Sequence, residues 1–256
     1  MSIVRHIPNT ITSLNLLCGV AGVISTMSGR PDTGFLFMLG AAVCDFCDGL
    51  AARLLKVRSD IGKELDSLCD VVSFGVLPAL MLFTLFAPDG NLFSGRNLLS
   101  VLSGLVSLLP AVFSALRLAK FNLDERQHDG FIGLPTPAAA MLCGSLAYHV
   151  FKTPSSFLAS WCAGPVFIPV LSLCLCALLV CEVPMFSMKI GGGKQPDFRT
   201  SAQRTAFLSI SAIAAIVVAV LGLDGSLVVL LSFTAYILIN LAFALVPSGK
   251  RHVEGL

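Results

Sequence analysis

The chain has 256 residues, 55% of them hydrophobic and only 12% charged, with a mean hydropathy of +0.87. That balance excludes an ordinary soluble domain and indicates a polytopic membrane protein. A net charge of only +2, with no basic run interleaved with aromatics, excludes a nucleic-acid partner.

In chain order, the opening run MSIVRHIPNTITSLNLLCG carries too many polar residues and no small-residue cleavage site, so it is expected to stay as the first helix instead of leaving as a signal peptide. A helix needs about 20 mostly apolar residues to cross the hydrocarbon core. Eight segments qualify, at about 9–28, 33–55, 62–86, 98–117, 135–152, 165–183, 205–222 and 226–246. The breaks between them, such as SGRPDTG, APDGNLFSGRN, DERQHDGFIGLP and KIGGGKQPDFRTSAQR, are rich in turn formers. No internal repeat appears, and a single all-α membrane domain over 1–256 is expected.

Several local signals carry no chemistry. GGGK lacks the spacing of a phosphate-binding loop. Cys44-x-x-Cys47 has no second pair and no neighbouring His, which argues against zinc or redox chemistry. Nine cysteines, an odd number set mostly in runs such as LSLCLCALLVC, read as small buried hydrophobes.

With a cytoplasmic N-terminus, only Arg30, Arg96 and Lys152 of the 17 Lys and Arg fall on the outer side, so the positive-inside rule places both termini in the cytoplasm.

The stretch CDFCDGLAARLLKVRSDIGKELDSLCD, residues 44–70, breaks the apolar pattern. Six of the fifteen acidic residues lie there: Asp45, Asp48, Asp60, Glu64, Asp66 and Asp70. Asp60 and Glu64 sit near water and read as helix-end charges. Asp45 and Asp48 are about 60° apart around a helix, and Asp66 and Asp70 about 40°, so each pair shares a face. A short positive loop, LLKVRSD, joins the two helices as an antiparallel hairpin, and the acidic faces converge below the cytoplasmic surface. Four ionised carboxylates there need a strong positive partner. Hard divalent cations, magnesium or manganese, suit oxygen ligands, and two ions bridged by carboxylates form a phosphoryl-transfer clamp. Gly49, Ala51, Ala52 and Gly62 leave bare helix surface for a close approach by a helix or a nucleotide.

Asp45, then Asp48-Gly49-x-x-Ala52-Arg53, then Gly62, Asp66 and Asp70, resembles the complete signature of the CDP-alcohol phosphatidyltransferases. The resemblance implies a six-helix membrane core, about residues 1–204, with a cytoplasmic site and two added helices at about 205–246. It implies displacement of CMP from a CDP-linked lipid by an alcohol. It also implies metal ligation by Asp45, Asp48, Asp66 and Asp70, with Asp70 as the general base, and CDP-lipid contacts from Asp48, Gly49, Ala52, Arg53, Ser59 and Gly62. Pro8, Asn9 and Thr12 open the first helix, where its positive end and side chains can hydrogen-bond the head group.

Within that family, IPNTITSLNLLCG, SDIGKELDSLCDVVSFGVLPA, ALRLAKFN and FIGLPTPAAA are similar to the bacterial integral-membrane phosphatidylserine synthases. That similarity implies CDP-diacylglycerol as donor, L-serine as acceptor and the bacterial inner membrane as location. Arg117, with Lys120 and Asn122, would meet the acceptor; Lys120 and Arg126 also fit plain positive-inside charges. A sister activity with glycerol phosphate or inositol phosphate stays open, as does a cation-coupled transporter, although the latter gives no reason for the glycine and arginine register. The last two helices offer packing or homodimer surface.

Overall fold

The computed structural model describes residues 6–55, 57, 60–87, 98–123, 131–186 and 198–245. Ten α-helical segments form there: α1 His6–Met27, α2 Pro31–Leu54, α3 Asp60–Asp70, α4 Leu77–Phe86, α5 Leu98–Leu123, α6 Thr136–Lys152, α7 Phe157–Cys162, α8 Phe167–Val180, α9 Phe198–Val220 and α10 Ser226–Leu245. Among the described residues, six helices are long and apolar enough to cross a membrane, counting Ile61–Phe86 as one continuous rod. The protein is an integral membrane protein.

The eight expected segments are all helical. Two are short: α6 has 17 residues and α8 has 14, about 26 and 21 Å at roughly 1.5 Å per residue. The segment expected over about 165–183 shrinks to α8 because the backbone turns extended at Cys181 and runs into a two-residue strand, β2 Pro184–Met185. It pairs antiparallel with β1 Phe131–Ile132. Between β1 and α6, Gly133 has φ +75°, and an added Cβ would meet the carbonyls of Leu179 and Cys181. Only glycine fits this crossing comfortably.

α7 was not foreseen. Ser156 caps it by accepting from Ala159 N at 3.2 Å, and Phe157 and Trp161 stand exposed, an arrangement suited to the level of lipid head groups.

α1 packs closely on its neighbours through small residues. A Cβ on Gly19 would strike Ser73, and one on Gly22 would strike Leu77. One buried cluster joins Phe35 and Met38 of α2 to Phe74, Leu77 and Met81 and to Ala140 and Met141 of α6. A second gathers α6, α8 and α10 around Leu142, Leu146, Leu175, Leu179 and Tyr236. Large hydrophobics such as Leu17, Val43, Ile216 and Val220 point outward, as a lipid-facing surface requires.

Directly after Asp70 the helix widens into one π-helical turn, Val71–Val76, before resuming as α4. Pro78 has no N–H to return to the fourth residue before it, and Leu77 N reaches back five residues to Val72 O. The turn lets Ser73 Oγ donate to Asn15 O of α1 at 3.1 Å.

The two ends of the bundle are chemically distinct. At one end lie the start of α1, the end of α2, the start of α3, the end of α5 and the start of α6. At the other, Lys152 Nζ and Arg30 Nε each pair with the buried Asp32 at 3.1 Å, and His149 Nδ1 lies 3.6 Å from Asp224. Beside the Asp32 carboxylate, the Arg30 guanidinium is held more firmly charged than usual.

Candidate active site

Asp45 and Asp48 leave α2 two turns before its end, and Asp66 and Asp70 lie along α3. The hairpin brings three of the four together: Asp45, Asp48 and Asp66 each offer an oxygen, all within 4.8 Å of one another. Three carboxylates that close repel by roughly 3–4 kcal/mol per pair at an effective dielectric of about 20. The sum approaches the stability of a whole domain, roughly 5–15 kcal/mol, so the trio needs positive compensation. Asp66 Oδ1 is buried with no hydrogen-bond partner. An orphaned carboxylate oxygen in an all-oxygen donor set fits a hard divalent cation.

Asp70 stands apart from the trio but within electrostatic reach of Asp45, Asp66 and Asp48. Its Oδ1 accepts from Asn15 Nδ2 at 3.1 Å. Thr12 Oγ1 lies 2.6 Å from Asp48 Oδ2 and 3.0 Å from Pro8 O. Thr12, expected against the head group, is thus placed on a metal-ligand candidate, and α1 becomes a positioning rail. Thr12, Asn15, Gly19 and Gly22 form its buried stripe.

The described residues expected to contact the CDP-lipid lie on the same helices, α1, α2 and α3. Pro8 is buried and Asn9 half-buried at the start of α1. A Cβ on Gly49 would meet nothing within 4 Å, so helix packing does not explain that glycine and the space is open to a ligand. Ala52 and Gly62 are half-buried. Arg53 is exposed and donates from Nε to Gly49 O at 3.0 Å. Ser59 and Arg126 lie outside the described residues.

Arg117, near the end of α5, is buried. Its Nη1 donates to Thr136 Oγ1 at 2.9 Å, its guanidinium lies 5.6 Å from the Phe121 ring centre, and Asp70 and Tyr236 are within electrostatic reach. Lys120 is exposed. Asn122 bridges α5 and α3: its Nδ2 donates to Ser67 Oγ at 2.8 Å, and its carbonyl accepts from Lys63 Nζ at 3.3 Å.

Sequence reasoning missed Asn15, Ser73 and Thr136. Asn15 had a legible signal, a polar amide three residues after Thr12 on an apolar helix, where such groups face the protein interior. Ser73 and Thr136 act only through the π turn and the α5–α6 approach, which no local pattern announces.

The family model for CDP-alcohol phosphatidyltransferase matches residues 5–169, a span holding all four carboxylates and Arg117. The chain belongs to the CDP-alcohol phosphatidyltransferase family. This bears out the resemblance seen in the sequence. This phosphatidyltransferase is 34% identical over 144 residues to the CDP-diacylglycerol–serine O-phosphatidyltransferase of Bacillus subtilis, covering 56% of this chain and 76% of that protein. The protein of the same description from Mycobacterium tuberculosis is 32% identical over 197 aligned residues, 71% of this chain and 61% of its own length. That from Helicobacter pylori J99 is 36% identical over 137 residues, 53% of this chain and 54% of its own.

The last helices of the phosphatidyltransferase lie beyond the matched span. α10 nonetheless reaches the site end: Tyr236 O–H donates to Phe186 O at 3.0 Å, and Asn240 Oδ1 accepts from Phe186 N at 3.0 Å. These bonds tie the backbone just after β2 to α10.

Proposed function

We propose that this phosphatidyltransferase moves the phosphatidyl group of CDP-diacylglycerol to the hydroxyl of L-serine, releasing CMP and forming phosphatidylserine. The observation that carries the reading is the meeting of Asp45, Asp48 and Asp66 within 4.8 Å, with Asp70 beside them. The descriptions of the Bacillus, Mycobacterium and Helicobacter relatives support serine as the acceptor.

The donor's acyl chains stay in the bilayer, and its pyrophosphate lies between the start of α1 and the open surface of Gly49, Ala52 and Gly62. Arg53, held by Nε on Gly49 O, keeps both terminal nitrogens for phosphate oxygens. Two magnesium or manganese ions, held by Asp45, Asp48 and Asp66 and shared with Asp70, would supply neutralisation of the phosphoryl charge. The Arg117 guanidinium, fixed by Thr136 and the Phe121 ring, takes the serine carboxylate, with Lys120 and Asn122 at the rim. The serine oxygen attacks the phosphorus of the phosphatidyl group, and the bond from that phosphorus to the CMP oxygen breaks. Asp70 accepts the hydroxyl proton on Oδ2, because Asn15 holds Oδ1. CMP leaves with the bonding electron pair.

The positive-inside count supports a cytoplasmic site and cytoplasmic termini, in a bacterial inner membrane. A homodimer through the outward side of α9, with Leu208, Ile213, Ile216 and Val220 exposed, is part of the same reading.

The deciding experiment uses purified protein in vesicles with CDP-diacylglycerol, a divalent ion and a panel of labelled alcohols. CMP release dependent on serine supports the proposal. Release with glycerol phosphate or inositol phosphate and none with serine overturns the acceptor, and no release with any alcohol overturns the reaction.

A further inference from the structure

At the end of the bundle opposite the aspartates lies a cavity of about 510 Å³, within the range of roughly 300–1,000 Å³ typical of small-molecule sites. Its walls come from helix ends: Thr26 and Met27 of α1, Leu85 and Phe86 of α4, Val150 and Phe151 of α6, and Ala159 and Ala163 in and just after α7. Nothing in the transfer reaction uses it.

Three observations define what fits there. The lining is mostly apolar. Gly29 and Pro31, which line the cavity, flank Arg30, and Phe151 precedes Lys152. These two side chains are 60% and 45% exposed, and they share the single carboxylate of Asp32. Among the described residues next to the lining, two cations share one anion, which leaves a net positive charge there. Finally, half-exposed Trp161 on α7 marks the level of the lipid head groups beside the opening.

We propose that this cavity is a binding site for an anionic membrane phospholipid, distinct from the CDP-lipid groove. Its phosphate lies against Arg30 and Lys152, and the upper part of an acyl chain fills the apolar depth. Charge complementarity selects the head group, since a zwitterionic lipid brings an ammonium group to a rim that is already positive. The apolar walls require a lipid and exclude a free phosphate.

Native mass spectrometry of the full chain released from nanodiscs tests this, with phosphatidylglycerol and phosphatidylethanolamine supplied in equal amounts. The wild-type protein is expected to retain phosphatidylglycerol in excess. Lys152→Gln leaves Arg30 to hold Asp32, and it should cut that excess roughly tenfold, the effect of losing one charge-assisted contact. Ala163→Phe fills the opening without touching either cation and should remove retention while serine-dependent CMP release persists. Equal retention of the two lipids by the wild type, or unchanged phosphatidylglycerol retention in both variants, overturns the proposal. Because both variants sit on the face opposite the aspartates, lipid held in the catalytic groove would survive them.

Discussion

Asn15 of α1 donates from Nδ2 to Asp70 Oδ1 across 3.1 Å, joining residues 55 apart in the chain. Asn15 is itself fixed at its carbonyl by Ser73 of the π turn. The proposed general base is therefore oriented by a helix that contributes no carboxylate. Asn15→Leu should lower kcat by about 10–100-fold, the usual effect of removing a partner that orients a ligand or base. Asn15→Gln should recover part of the loss. The split is read from kcat against KM for serine, since a merely structural role would reduce protein yield with kcat intact.

Asp45→Asn, Asp48→Asn and Asp66→Asn should each abolish turnover while the protein still purifies as a folded species. Asparagine keeps the shape and loses the charge that a divalent ion needs. Manganese binding followed by electron paramagnetic resonance should fall in parallel. Full turnover of the unmodified protein in excess chelator would contradict the metal centre.

Asp70→Asn should spare CDP-diacylglycerol binding and cost about 10²–10⁴ in kcat, the range of a lost general base. Single-turnover CMP release on pre-bound donor checks it. An ordinary rate would move the base to another group. A pH profile would report the coupled carboxylates together, not Asp70 alone.

Arg53→Lys keeps the charge and loses the planar fork. Because Nε of Arg53 is engaged by Gly49 O, the variant loses that anchor as well. KM for the CDP-lipid should rise well above any change in KM for serine. An unchanged lipid KM removes Arg53 from the groove.

Arg117→Ala should cost mainly serine binding, about 2–4 kcal/mol, or roughly 30–1,000-fold in kcat/KM. Thr136→Val, which removes only the hydroxyl that holds Nη1, should give a smaller loss of the same kind. Unchanged kcat/KM for serine in Arg117→Ala, at normal protein levels, would leave Arg117 with a topological role alone.

The membrane class, the eight apolar segments and the convergence of Asp45, Asp48 and Asp66 were legible in the sequence. Each depends on local quantities: hydropathy over about 20 residues, and the 3.6-residue period that puts i+3 and i+4 on one face. The openness around Gly49 was legible for the same reason, because a missing side chain leaves bare surface wherever the helix goes. The tertiary structure alone decided which other groups hold the carboxylates. Asn15 reaches Asp70 because Gly19 and Gly22 let α1 approach the α3–α4 rod, and Thr12 reaches Asp48 across the α1–α2 hairpin. The π turn after Asp70, the shortening of α8 into β2 and the meeting of Arg30, Asp32 and Lys152 share that origin. Contacts between residues distant in sequence are set by how closely whole helices pack, and that depends on every side chain along the interface at once.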